Sequence, residues 1–470
     1  MRNPFAARAP FSKNPDVERS LQHSIRDGVT YSLMTGAGES YFSAFALLLK
    51  ANTAQIGLLA ALPPLIASFM QLLSVWVGKL TGQRKWIIVA GALVQAVALA
   101  LIAVVPLLYP DRAFGALLLF AVIYYAGPNL GTPQWSSLMG DLVPESRRGR
   151  FFALRTQLSS VSSFAALLGA GLVLQLFSSR WSAYGGFVSI FLFAMLARLI
   201  SAYHLARMID PPRSSQEDPL PARGVLSRLR GSPLVRFSMF FASMQFSVAI
   251  AGPFFVVYML RDLHFSYLEW TINSAVSVCF QFLTLNRWGR LSDIFGNRLI
   301  LLTTGSLLPI MPMLWIVSTN YFYLLLVQAI SGLVWAGFTL AATNFLFDLT
   351  PPERRATLMA YHNVLAAMAV FAGALIGGYL GTALPSAITL AGYELQWTSA
   401  LYGVFLISGI SRMIVAGSFL PGLKEVRNVR PMTMSGVIFR VTRFRPAFGL
   451  MFDIVPFRQK RGDDDEGDAP

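Results

Sequence analysis

Gly289-Arg290-Leu291-Ser292-Asp293-Ile294-Phe295-Gly296-Asn297-Arg298 is the stretch on which the reading of this chain turns. It is a short polar run set between two long apolar segments, Phe265–Asn286 and Leu299–Thr319. A bilayer core is crossed by about 20 apolar residues in a helix. Both flanks therefore predict membrane spans, and the run between them predicts a tight turn that glycine makes sterically accessible.

The same ruler applied outward predicts twelve spans. The first six are Val29–Leu49, Gln55–Val77, Trp86–Tyr109, Ala113–Met139, Phe151–Phe177 and Ala183–Ala206. The second six are Phe237–Leu260, Phe265–Asn286, Leu299–Thr319, Asn320–Phe347, Leu358–Leu384 and Thr398–Leu420, with only a turn at Ser318–Asn320 between spans nine and ten. Composition agrees. Of the 470 residues 55% are hydrophobic and 13% charged, with a mean hydropathy of +0.56, where a soluble domain carries about a quarter charged residues. The single cysteine, Cys279, excludes a disulfide framework or thiolate metal site, and His23, His204, His264 and His362 have no ligand spacing. No metal, no cofactor and no enzyme active site is expected. The first 28 residues are polar and basic, without the apolar core of a cleavable signal peptide.

A net charge of +15 invites a nucleic-acid reading, but the charges fall in clusters between apolar runs. Placing both tails and the even-to-odd loops on one side gathers 32 of the 38 lysines and arginines there. The other side holds only Lys50, Arg112, Arg180 and Arg261, and Arg198 and Arg412 lie within spans. Basic loops face the cytoplasm, so both termini are expected there, in a plasma or inner membrane, with no nucleic-acid partner.

The halves repeat. Asp141-Leu142-Val143-Pro144-Glu145-Ser146-Arg147-Arg148 overlays Asp348-Leu349-Thr350-Pro351-Pro352-Glu353-Arg354-Arg355 at a shift of 207. Gly78-Lys79-Leu80 overlays Gly289-Arg290-Leu291 at 211, and Phe191-Leu192 with Arg198 overlays Phe405-Leu406 with Arg412 at 214. The expected organisation is a tail at 1–28, a six-helix half at 29–207, a linker at 208–233, a second half at 234–420 and a tail at 421–470. Pro211, Pro212, Pro219 and Pro221 mark the linker. Parallel six-span repeats place a substrate site near the midplane between halves.

With these features the chain resembles the major facilitator superfamily, whose glycine-x-leucine-x-aspartate-x-x-glycine-x-arginine loop is matched at every defining position by Gly289, Leu291, Asp293, Gly296 and Arg298. The resemblance covers about residues 20–420. It implies an all-α, 6+6 pseudo-symmetric bundle and a monomer that moves a small solute by alternating access. It also implies that Asp293 and Arg298 hold the cytoplasmic gate shut, with Asp348 as an arginine partner; an aspartate against a helix N-terminus gains roughly 0.3–1 kcal/mol. The first-half copy, Gly78-Lys79-Leu80-Thr81-Gly82-Gln83-Arg84-Lys85, departs from the pattern. Gly82 stands in the aspartate position, the second glycine is missing, and Gly78, Arg84 and Asp141 are the remaining members. Topology alone explains part of the role of Arg84, Lys85 and Arg290.

Glu39 is the one acid well inside a predicted span, about 15 Å from its start at 1.5 Å per residue. A mid-membrane carboxyl costs at least about 2.5 kcal/mol. It either carries protons, like the coupling acids of proton-linked family members, or hydrogen-bonds neighbouring helices. Spans one, four, seven and ten line the pathway in this family, which makes Asn129, Gln134, Gln245, Asn273, Gln281 and Asn344 candidate polar contacts. Trp135 and Trp335 are either aromatic walls or interface anchors. Arg155 and His362, repeat-equivalent at the mouths of spans five and eleven, either meet an anionic substrate or solvate helix ends. Arg198 and Arg412 are expected to snorkel as anchors. Pro128 and Pro133 in span four free backbone groups that only protein or a wet cavity can satisfy. Glycines in spans five and eleven allow close helix approach. Span five lacks the glycine-proline-x-x-glycine-glycine element of drug antiporters and span four has no arginine, which argues against multidrug antiport. The tail's Phe439–Arg445 run is either membrane-associated or disordered. The function expected is proton-coupled secondary transport across the bilayer; the alternative is a transporter-fold sensor or assembly factor.

Overall fold

A computed structural model describes residues 10–144, 147–211, 232–350, 355–384, 387–390, 393–396, 399–425 and 432–442. Most of the 208–233 linker, the 143–148 repeat segment in part, and the acidic end of the tail lie outside them. Among the described residues, ten helical stretches are long and apolar enough to cross a membrane, from Thr53–Gly78 to Leu401–Gly422. Spans one and eight are helical too but more polar.

In the first half the helices are α1 (Pro15–Ala37), α2 (Phe42–Leu48), α3 (Thr53–Thr81), α4 (Arg84–Leu108), α5 (Ala113–Leu142), α6 (Arg148–Arg180) and α7 (Ala183–Ala206). The first span thus begins 14 residues earlier than Val29. Asn14 caps it by accepting from the Asp16 and Val17 amides, Pro15 occupies the first turn, and Asp16 and Glu18 favour the positive helix end. The helix breaks at Gly38, and Glu39–Tyr41 form a 3-10 turn before α2 resumes. Two glycines explain the location. A Cβ on Gly36 would stand 2.3 Å from the Ser163 carbonyl of α6, and one on Gly38 3.0 Å from Ala194 of α7.

The second half comprises α8 (Pro233–Ala251), the short α9 (Phe254–Val257) with a π-helical turn Tyr258–Asp262, α10 (Tyr267–Phe295), α11 (Asn297–Leu307), α12 (Ile310–Val317), α13 (Tyr321–Leu349), α14 (Arg355–Ala383) and α15 (Leu401–Phe419). Asn320 caps α13 directly after the Ser318 turn. Capping boxes open α3 (Asn52 with Gln55) and α10 (Ser266 with Glu269). The long loop before α15 holds an antiparallel hairpin, β1 (Ala387–Leu390) with β2 (Tyr393–Gln396). Part of the C-terminal tail is helical. In α16 (Met434–Thr442), Val437 and Val441 are buried in the second-half core and Arg287 of α10 donates to the Val441 carbonyl. That segment packs on protein.

The halves join at the end opposite the termini. There Tyr41 shares a 3.1 Å hydrogen bond with Thr271, Gly57 lies against the Ala374 carbonyl and Gly378 against Ala54. The contact reaches inward to Ala61, Ala249 and Ala374. At the other end of α3, Trp76 and Leu80 are 60% and 66% exposed. Among the described residues the hydrogen bonds and ring contacts between the halves lie toward the far end, so the arrangement is splayed toward the end that carries the Gly82 and Gly296 turns.

Those turns correct the reading of the first-half loop. Gly82 closes α3 with φ 66°, and Gly296 ends α10 with φ 86°, conformations open mainly to glycine. Gly82 is therefore the counterpart of Gly296, not of Asp293. The glycine is present, and the aspartate is what the first half lacks. Both α3 and α10 are 29 residues long, capped at Asn52 and Ser266 and closed at Gly82 and Gly296, which puts Lys79 where the second half has Asp293.

Candidate functional site

Glu39 sits at the break in span one. The Tyr124 hydroxyl of α5 donates to its carboxylate at 3.1 Å, and the neighbouring Tyr125 also faces it. Phe42 packs edge-on to Tyr124 at 5.0 Å. A helix break at mid-span leaves backbone and carboxylate partly open, and Glu39 is half-buried rather than sealed. The arrangement can hold or pass a proton.

About 18 Å down the same helix, at 1.5 Å per residue, lies a second charged station. Asp27 is 4% exposed, and Arg155 of α6 pairs with it at 3.2 Å. The Ser201 hydroxyl of α7 donates to the other carboxylate oxygen at 2.7 Å, and Arg198 donates to Ser201 at 2.7 Å. Arg155 also lies over the Trp135 ring at 4.6 Å and Arg198 over Tyr31 at 4.9 Å. Arg198 does not snorkel; it is 4% exposed and turned inward. Arg412 is likewise buried, reaching the Leu308 and Val248 carbonyls. A buried guanidinium needs partners. Ser201 accepts from Arg198 and two carbonyls accept from Arg412, while the Nε atoms of both are buried without a hydrogen bond among the described residues.

Asp27, Tyr31, Tyr124 and Ser201 were not among the sequence candidates. Asp27 fell in the expected tail because the apolar run starts at Val29. The Asn14-Pro15 cap with its acidic first turn was the signal that the helix starts earlier. In the second half, His362 of α14 is buried, shares a 3.0 Å hydrogen bond with Ser238 of α8 and stacks on Phe237.

At the loop end Arg84 is buried, 2.6 Å from Asp141 and 2.9 Å from Asp210, and donates to the Pro211 carbonyl. It ties α4 to α5 and to the chain leaving α7. The second-half equivalent differs from expectation. Arg298 donates from Nε to the Leu423 carbonyl and from its backbone to Glu425, while Asn297 donates to Asp348 at 2.9 Å and takes a short bond from Ser292. Asp293 is exposed in this arrangement, and Gly289 faces Leu340 at 4.0 Å.

The amides divide. Gln134 is buried on Ser74 of α3 at 2.9 Å, against Gly78, where a Cβ would lie 2.3 Å from it; it is helix packing. Asn129 accepts from Gln71 at 2.7 Å. Asn273 is fully buried with neither amide atom hydrogen-bonded, and Gln245 has an unpartnered buried oxygen. Gln281 and Asn344 are half-buried. These residues are spread along the bundle and do not converge with Glu39 in one cluster. Among the described residues no His, Cys, Asp and Glu group fits a metal.

Two overlapping segments, 29–250 and 235–454, match the profile of the family described as Major Facilitator Superfamily. Solved structures similar to this chain include the nucleoside transporter NupG (TM-score 0.65, 14% identity, covering 86% of this chain and 99% of that one). A bacterial homolog of the human lysosomal transporter Spinster, inward-facing and unoccupied, has a TM-score of 0.65 at 14% identity, covering 93% of this chain and all of that one. A D-xylose–proton symporter gives 0.67 at 12%, covering 88% and 99%. No curated protein sequence matches.

Proposed function

This chain belongs to the Major Facilitator Superfamily, and we propose that it is a secondary active transporter that moves a small solute by alternating access, coupled to protons through Glu39. The observation that carries the proposal is the pairing of Glu39 with Tyr124 at a helix break, in a bundle whose halves, among the described residues, join toward the far end. A closed far end and a splayed loop end are one of the two states that alternating access needs. At the break, a carboxylate can accept a proton and reorganise its tyrosine bond without disturbing a continuous helix. The similarity to a chain named a proton symporter is in keeping with this. The basic loops support a cell-membrane topology in which the splayed end and both termini, flanking the 29–207 and 234–420 halves, face the cytoplasm; reporter fusions after residues 30, 215 and 430 test that.

The experiment begins with a thermal-shift screen of solutes against the purified protein, since a specific binder raises apparent stability by mass action. Glu39→Gln mimics the protonated carboxyl. In proteoliposomes it is expected to keep counterflow of the solute found and to lose uphill accumulation under a pH gradient. A glutamine variant that still concentrates solute makes Glu39 structural. A protein that binds solute but shows neither accumulation nor counterflow supports the sensor alternative.

A further inference from the structure

At the closed far end lies a recess of about 640 Å³ built from both halves. The first half lines it with Lys50, Gln175, Ser178 and Ser179, the second with Arg261 and Ser266. Arg261 is already neutralised by Asp262 at 2.7 Å and tied to Thr53 at 3.1 Å. Lys50 is exposed and has no ion-pair partner among the described residues.

The backbone at Lys50 is unusual for that residue. The Lys50 amide donates to Leu47 at 2.9 Å and the Ala51 amide to Ala46 at 3.0 Å, closing α2 in a Schellman turn. Lys50 takes the left-handed position at φ 61°. Glycine ordinarily occupies that position, because a Cβ there crowds the following carbonyl. His264, at the repeat-equivalent place 214 residues on, has φ 54°. A strained residue kept at a functional surface is a pointer to what its side chain does. Here the side chain offers an unneutralised ammonium beside hydroxyl and amide donors in a concave seam.

We infer that this recess binds a small oxyanion, the phosphate or carboxylate of a solute or the phosphate of a lipid headgroup, with Lys50 as its charged ligand. The Ser178 hydroxyl and the Gln175 amide complete the donor set, since Ser179 donates to the Leu176 carbonyl and Ser266 to Glu269. Because the two halves contribute different walls, the site is whole only while the far end is closed. An anion there stabilises this arrangement of the bundle over one with the far end open, by its difference in affinity for the two. The inference does not depend on what the protein transports or on Glu39.

The test is thermal unfolding of the full-length protein, followed by tryptophan fluorescence, in detergent with inorganic phosphate titrated against chloride at constant ionic strength. The wild type should melt progressively higher with phosphate. Lys50→Gly should start at or above the wild-type Tm, since glycine relieves the left-handed position, and should show no phosphate response. Lys50→Asn, which also tolerates this conformation, serves if the glycine variant folds poorly, and Lys50→Arg should keep the response. Repeating the series in nanodiscs separates the sources. If phosphatidylglycerol raises the wild-type Tm above phosphatidylcholine and removes the phosphate response, the headgroup is the ligand. Parallel phosphate responses in wild type and Lys50→Gly, or a wild type indifferent to both phosphate and phosphatidylglycerol, would overturn the site.

Discussion

Arg155 on α6 reaches Asp27 on α1 across 3.2 Å, joining the first and fifth spans of one half inside the protein. The repeat carries Asp27 to Ser238 at a shift of 211 and Arg155 to His362 at 207, and those two residues meet at 3.0 Å. One joint between the same pair of helices is therefore ionic in the first half and neutral in the second. Ser201 and Arg198 extend the ionic version into a third helix.

That asymmetry gives the first prediction. Asp27→Ala leaves Arg155 and Arg198 facing an interior without their carboxylate. Removing one partner of a buried pair costs about 3–5 kcal/mol. Arg155 keeps 20% side-chain exposure, so about 2 kcal/mol is the expected loss. Asp27→Ala with Arg155→Ala should lose less than the sum of the single variants, by about 1 kcal/mol in a double-mutant cycle. Strictly additive losses would show that the two side chains are neighbours without coupling. Ser238→Ala should cost less than Asp27→Ala because no charge is stranded.

Arg84 should be the most sensitive basic residue of the loop end. It is 1% exposed and bonds to Asp141, Asp210, Ser137 and a backbone carbonyl. Arg84→Gln strands two carboxylates, with an expected cost of about 2–4 kcal/mol. Lys85→Gln, on the half-buried neighbour whose ammonium lies over Trp86 with no ion pair among the described residues, should cost under about 0.5 kcal/mol. Detergent melts of the two variants check this. Comparable losses would mean that Arg84 serves only membrane topology.

The pair His23 and His204 should make stability fall on mild acidification. Their Nδ1 atoms lie 3.0 Å apart, so the bond needs one of them unprotonated. His23, in the part of α1 that precedes the apolar run, is held below its ordinary pKa by burial first, then by His204, Arg26 and Arg207. A base with a lowered folded-state pKa binds fewer protons folded than unfolded. Stability therefore declines as pH falls through the unfolded value of about 6.5 and levels off below the folded one. Melts from pH 8 to pH 5 should show this slope in the wild type and a shallower one in His23→Gln. An unchanged slope would place the pH sensitivity elsewhere.

Much of this fold was legible because lipid leaves few alternatives to long helices. The spans, the Ser318–Asn320 turn and the repeat all follow from apolar run lengths and glycine positions. The readings that failed depended on where polar side chains turn. Arg198 looked like an anchor because its sequence neighbours are apolar, yet Asp27, on another helix, draws it inward through Ser201. Gln134 looked like a pathway residue until Gly78, on α3, made room for it. Asp27 was missed because hydropathy sees where the membrane starts, whereas the helix starts at its cap. The register of Gly82 needed the helix ends: aligned on Gly78 and Gly289 the letters put Gly82 at the aspartate, whereas the caps of α3 and α10 put Lys79 there.

The last prediction concerns the splayed end. Asp293 is exposed here, as expected of a latch residue in an arrangement where the loop ends do not meet. In the opposite state its carboxylate would face a helix N-terminus across the halves, an attraction of roughly 0.3–1 kcal/mol. Access states separated by a few kcal/mol respond to such a change by as much as about fivefold in their ratio. Asp293→Asn should then favour the splayed arrangement. Spin labels at Gly140→Cys and Phe347→Cys, repeat-equivalent exposed positions at the loop ends of α5 and α13, in a Cys279→Ala background, report the separation. The long-distance population should grow in Asp293→Asn. Gly82→Ala should behave differently. It has no carboxylate to lose, and a Cβ there meets nothing within 4 Å, so its cost is the left-handed backbone alone, about 1 kcal/mol of stability. Its distance distribution should match that of the wild type. If both variants shift the distances alike, the latch does not reside in the aspartate, and its replacement by Lys79 in the first half carries no asymmetry in the gate.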